Sequence, residues 1–207
     1  MKRRAMPLPR TVTAPILALA AALSLSACDD RPPLDTAPLH GAKIGGAFTL
    51  TDQTGEKRRW EDFDGQWRVV YFGFTYCPDI CPTDVQRLSQ GLAQFEEANP
   101  ELGAEVTPIF VSVDPERDTP EALADYLQTA SFPEGVIGLT GAPEQVKAAA
   151  DAYRAFYQKV GEGEDYTMNH SLTVYLMGPD GRFRTAVAEE LGPETSAGVI
   201  ERAMARG

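Results

Sequence analysis

Cys77 and Cys81, four positions apart in the string CPDIC, are the residues of this 207-residue chain best suited to chemistry. As a structural staple the pair has little to offer, because a disulfide closing so short a loop contributes only about 2 kcal/mol in the chain-entropy model. A body of this length buries enough core to fold without it. The pair is therefore read as chemically active. If Cys81 falls in the first turn of a helix, positions four apart face the same way, and the two sulfurs can meet each other or a single metal ion. The field at a helix N-terminus stabilises the thiolate that either reaction needs. Two thiolates leave a metal site incomplete, and the only imidazole in the folded body is His170, in the string NHS. Two soft sulfurs with an imidazole suit Cu(I), Cu(II) or Zn(II), and not Mg or Ca.

Positioning these groups falls to the elements around them. Residues 68–74, RVVYFGF, are β-branched and aromatic enough for a strand buried on both faces. The strand runs into CPDIC and then a helix over about 84–98, where Val85, Leu88, Leu92 and Phe95 recur at helical spacing and Thr83 with Gln86 forms a capping-box pattern. A second buried strand is expected at 106–113, a helix at 119–129 opened by Thr119-Pro120, a short strand at 136–139 and a helix at 143–157. That last helix should bury Val146, Ala149, Tyr153 and Phe156 on one face. After a polar stretch at 161–169, a strand at 171–177 turns through Gly178-Pro179-Asp180-Gly181 into a partner at 183–188, and a helix at 193–205 closes the chain. Residues 48–55 open the body as a hairpin or edge element. The alternation points to an α/β mixed sheet flanked by helices. Its order resembles a thioredoxin-like fold with extra N-terminal strands. In such a sheet the loop before the late strand lies beside the first strand-to-helix turn, which brings His170 towards Cys77 and Cys81 as a ligand.

The N-terminus speaks to location. Its only charges before residue 28 are Lys2, Arg3, Arg4 and Arg10, and an apolar run over 11–25 closes as Leu25-Ser26-Ala27-Cys28. This has the shape of a secretory signal, and it resembles a bacterial lipobox in which Cys28 becomes the lipidated first residue. The alternative, an uncleaved membrane anchor, needs about 20 apolar residues, more than Pro15 and Ser24 leave. The expected organisation is a signal peptide at 1–27, a Pro- and Asp-rich flexible tether at 28–45 and a thioredoxin-like metal-binding domain at 46–207, on the periplasmic face of the inner membrane. Asp29 resembles a signal for retention there. Without its first 27 residues the chain carries 15 basic and 30 acidic side chains, a formal charge of -15. That charge disfavours nucleic acid and suits a cationic partner. Glu162, Glu164 and Asp165 read as a solvated acidic loop and Met168 as packing. No phosphate-binding loop or nucleophilic serine arrangement is present.

The strings YFGFTYCPDICPTD, VSVDPERDTPEAL, AYRAFYQKV and DYTMNHSLTVYLMGPDGRF, in that order, resemble the Sco/SenC/PrrC family of membrane-attached thioredoxin-like proteins over about residues 40–205. The resemblance implies a copper protein that helps assemble the two-copper site of cytochrome c oxidase. Its partners would be the copper-site domain of that oxidase, other copper chaperones and thiol reductants. Cys77 and Cys81 would be thiolate ligands and a redox-active pair, His170 the imidazole ligand, and Asp114 in VDPERD a tuning residue near the site. Many family members keep a transmembrane anchor, whereas this chain has the lipobox. Two functions stay open: a metallochaperone passing copper by ligand exchange, and a thiol-disulfide oxidoreductase acting on the oxidase cysteines. A peroxiredoxin-like activity has Thr75 and Thr83 to draw on but no evident arginine.

Overall fold

The computed structural model describes residues 39, 41–77, 80–129, 131–163, 165–187 and 192–206, with the backbone alone at 80–82. Cys28, the 1–27 signal, most of the 28–45 tether, and Glu164 lie outside the described residues. In chain order the elements are β1 (Thr49–Asp52), β2 (Lys57–Arg59), β3 (Trp67–Gly73), α1 (Ile80–Ala98), α2 (Pro100–Gly103), β4 (Val106–Ser112), α3 (Pro120–Leu127) and β5 (Ile137–Thr140). They continue with α4 (Pro143–Tyr153), β6 (Tyr157–Val160), β7 (Thr167–His170), β8 (Val174–Met177), β9 (Phe183–Val187) and α5 (Pro193–Met204).

Seven strands form one sheet in the order β2-β1-β5-β4-β3-β8-β9. The central strands β3, β4 and β5 run parallel, and β8 joins β3 antiparallel with Tyr71 opposite Val174. The β1–β2 hairpin adds the extra N-terminal strands at the β5 edge. All seven residues of β3 are buried, as its composition predicts. Alternation along the strand sends Val70 and Phe72 into one core with Val146, Ala149 and Tyr153 of α4. Val69 and Tyr71 enter a second core with Val85, Leu88 and Phe95 of α1 and Ile200 of α5. The sheet is thus covered on both faces, the arrangement that a parallel strand buried along its whole length requires.

Three expectations are corrected. Helix α1 starts at Ile80, so Thr83 lies inside it and does not cap it, and Cys81 occupies the first turn. Helix α4 stops at Tyr153: Arg154 adopts a left-handed conformation (φ 55°), its N–H bonding to Asp151 and the next N–H to Ala150, a Schellman stop. Phe156 is consequently 59% exposed and off the helix, while Val146, Ala149 and Tyr153 are buried as expected. Tyr157, expected in that helix, opens a strand instead, and with the stretch 161–169 read as polar it forms part of a two-stranded antiparallel ribbon, β6–β7, outside the main sheet.

Candidate metal centre

Cys77 lies at the exit of β3, where its N–H approaches the Phe74 carbonyl at 3.4 Å and its side chain packs against the core that holds Phe74, Tyr166 and Met168. Cys81 follows as the second residue of α1, in the field of the helix's unpaired amides. Its side chain lies outside the described residues. Among the described side chains, which do not include that of Cys81, no group of three His, Cys, Asp or Glu is close enough to hold a metal ion.

His170 ends β7, opposite Tyr157 of β6. Its ring stands edge-on to Phe74 at 5.7 Å and to Tyr71 at 6.1 Å. The imidazole therefore sits against the last turn of chain before Cys77, although 93 positions separate the two in sequence. Its Nδ1 lies 3.0 Å from the Ser171 carbonyl oxygen. A carbonyl only accepts, so Nδ1 donates, and a neutral ring in that tautomer carries its lone pair on Nε2, the usual arrangement for a histidine ligand.

The loop after β4 braces both sides of this site. Asp118, fully buried, accepts hydrogen bonds from the Thr75 hydroxyl (2.6 Å), the Thr75 N–H (3.2 Å) and the Ser112 hydroxyl (2.6 Å). It clamps the chain two residues before Cys77, and it engages the Thr75 hydroxyl that a peroxide-binding role would need. Burial, with Asp114 nearby, pushes the Asp118 carboxyl above its ordinary range despite the bonds from Ser112 and Thr75 that oppose the shift. Asp114, also buried, accepts from the Tyr166 hydroxyl and from Arg117 Nε, each at 2.5 Å. Burial and that bond push the Tyr166 phenol up, so it stays a donor. Arg117 also donates from Nη1 to the Tyr166 carbonyl (2.9 Å), with its guanidinium 3.6 Å from the Tyr166 ring centroid and 4.7 Å from that of Tyr76.

These contacts hold the turn that carries Cys77 and the ribbon strand that carries His170 beside each other. A family model described as SCO1/SenC matches residues 36–205. The chain belongs to the SCO1/SenC family. Among SCO1/SenC relatives, the mitochondrial SCO1 homolog of Homo sapiens is 44% identical over 144 residues, 68% of this chain and 46% of that protein. The chain thus spans about half of that relative's length. A structure of Bradyrhizobium japonicum ScoI with copper bound is 38% identical, with a TM-score of 0.68, covering 77% of this chain and 99% of that one. BsSco, described with a disulfide switch and as a member of the Sco family of cytochrome c oxidase assembly proteins, is 25% identical with a TM-score of 0.63, covering 78% and 94%. The thioredoxin-like architecture expected from the element order is thereby shown.

Within this SCO1/SenC chain, sequence reasoning singled out Asp114 and overlooked Arg117 and Asp118. Their partners Tyr166 and Thr75 lie 49 and 43 positions away. The one local signal was a run of acidic and basic residues, DPERD, set between a buried strand and a proline-started helix. Met168 is buried in the core, as packing predicts, while Glu162 and Asp165 are exposed. Beside Cys77, Phe74 is buried and Tyr76 is 63% exposed.

Proposed function

We propose that this chain is a membrane-attached copper metallochaperone that holds copper between Cys77, Cys81 and His170 and passes it to the two-copper site of cytochrome c oxidase. The observation that carries the reading is the seating of His170 against Phe74 at the Cys77 turn, in a chain 38% identical to a copper-bound ScoI. The donor set fits. Two thiolates and one imidazole are soft enough for Cu(I), and the imidazole adds the nitrogen that Cu(II) prefers. Loading releases the thiol protons, and a disulfide between the cysteines excludes the metal because no thiolate remains. The helix field at Cys81 lowers the cost of that deprotonation.

Ligand titration tests the site. The reduced protein should take one copper per chain, and Cys77→Ser or Cys81→Ser should abolish tight binding. His170→Ala should keep most Cu(I) affinity and lose most Cu(II). A His170→Ala variant that binds Cu(II) as the parent does would remove the imidazole from the site. Attachment is proposed through a lipid on Cys28 at the periplasmic face of the inner membrane; among the described residues no helix is long and apolar enough to cross a membrane.

A second reading, a thiol-disulfide oxidoreductase for the oxidase cysteines, draws support from the disulfide switch described for BsSco. In that reaction the dithiol of Cys77 and Cys81 becomes a disulfide as a partner disulfide becomes a dithiol. The metal-free dithiol form would then suffice for maturation, and His170→Ala would matter little.

A further inference from the structure

Cys77 and His170 arrive at the site on separate pieces of chain. The turn after β3 brings the cysteine, and the β6–β7 ribbon, a separate two-stranded sheet among the described residues, brings the histidine. One side chain touches both. Arg117 lies 4.7 Å from the ring centroid of Tyr76, the residue before Cys77. It also lies 3.6 Å from that of Tyr166 and binds the Tyr166 carbonyl, at the entrance to β7, four residues before His170. Asp114 fixes this guanidinium from beneath through Nε and fixes the Tyr166 hydroxyl with its other oxygen. Only 16% of the Arg117 side chain is exposed, and its Nη2 is buried without a hydrogen-bond partner among the described residues. The guanidinium has given up hydration there while lying against two rings, as expected where stacking contributes to its placement.

We infer that Arg117 is the positioning residue that sets the spacing between the cysteine turn and the histidine ribbon, and so determines whether a bound copper ion receives the imidazole in addition to the thiolates. The inference rests on the ligand set proposed above. Its consequence is selective. Cys81, in the first turn of α1, follows Cys77 by four positions on the same stretch of chain, so a Cu(I) ion held by two sulfurs needs nothing that Arg117 spans. Cu(II), which calls for the nitrogen, depends on the ribbon staying in register with the turn.

Arg117→Lys is the informative variant, because lysine keeps the charge that Asp114 needs and loses the planar fork and the stack. The reduced full chain would be titrated with Cu(II) and, against a competing chelator, with Cu(I), for the parent, Arg117→Lys and His170→Ala. Cu(II) absorption and electron paramagnetic resonance spectra would be recorded on each. Arg117→Lys should weaken Cu(II) binding about tenfold, or about 1.4 kcal/mol. Its Cu(II) spectra should move towards those of His170→Ala, and its Cu(I) affinity should stay near that of the parent. Parent-like Cu(II) affinity and spectra would overturn the inference, and so would equal losses for both oxidation states, which mean general disruption. If circular dichroism shows that Arg117→Lys does not fold, Tyr76→Ala removes an exposed ring from the same stack. The same selective Cu(II) loss is expected there, and parent-like binding would again overturn it. His170→Ala separates the two levels: if it leaves Cu(II) binding unchanged, the ligand reading fails and takes this inference with it. If it abolishes Cu(II) binding while Arg117→Lys does not weaken it, only the role of Arg117 falls.

Discussion

Asp118 shows at residue scale how one buried carboxyl holds the turn that carries Cys77. The carboxyl is sealed from solvent and receives three donors, two of them from Thr75. Asp118→Ala should cost about 2–4 kcal/mol, because the Thr75 N–H loses its acceptor in a buried site. Urea unfolding of the reduced protein checks this, and a loss below about 1 kcal/mol would mean that water replaces the carboxyl. Its ionisation has a definite sign. The folded-state pKa is raised, with burial the largest cause. The stability it contributes is therefore full below the unfolded value and is lost as pH rises through the folded one. Asp118→Asn removes that titration. The difference in stability between Asn variant and parent should shift in favour of the variant as pH rises from about 4 to about 7. Unfolding curves at three pH values measure it, and a difference independent of pH would contradict the assignment.

At the scale of elements, α1 is held by a close crossing with α5. A Cβ on Gly91 of α1 would lie 2.7 Å from Ser196 Cβ and 3.1 Å from the Pro193 carbonyl oxygen, both on α5. Alanine in place of a mid-helix glycine gains about 1 kcal/mol in propensity, but forcing two packed helices apart costs about 1–3 kcal/mol. Gly91→Ala should therefore be neutral to destabilising by about 2 kcal/mol, and a stabilised variant in urea unfolding would show that the crossing yields easily. The same elements explain what the sequence made legible. Strands β3 and β4 are dominated by β-branched and aromatic residues and read directly, and helix α3 opens with Thr119, whose hydroxyl accepts from the Ala122 N–H. The start of α1 was obscured because Thr83 and Gln86 imitate a capping box one turn inside the helix. The β6–β7 ribbon, YQKV with TMNH, was not legible since only its inner side meets the core, leaving Phe156, Gln158, Val160, Thr167 and Asn169 exposed. His170 itself stood out by being the lone body imidazole. Its braces, Arg117 and Asp118, did not, because a charged pentapeptide in a loop looks like solvated surface until tertiary contacts supply its partners.

For the whole molecule, attachment and transfer are the two claims that reach beyond the domain. Cys28→Ser should block signal removal, so mass spectrometry would find residues 1–27 retained; a processed, lipid-free chain would refute lipid attachment. Transfer weighs more, because it separates a carrier from a reductant. Copper-loaded protein mixed with a metal-free, chemically reduced copper domain of cytochrome c oxidase is the decisive experiment, followed by the absorption of the assembled two-copper site. Copper should leave Cys77, Cys81 and His170 and appear in that site, and the His170→Ala protein should be impaired in delivering it. If the loaded protein delivers no copper, while its metal-free dithiol form alone matures the oxidised domain supplied with copper ions, the chain is a reductant and not a copper carrier.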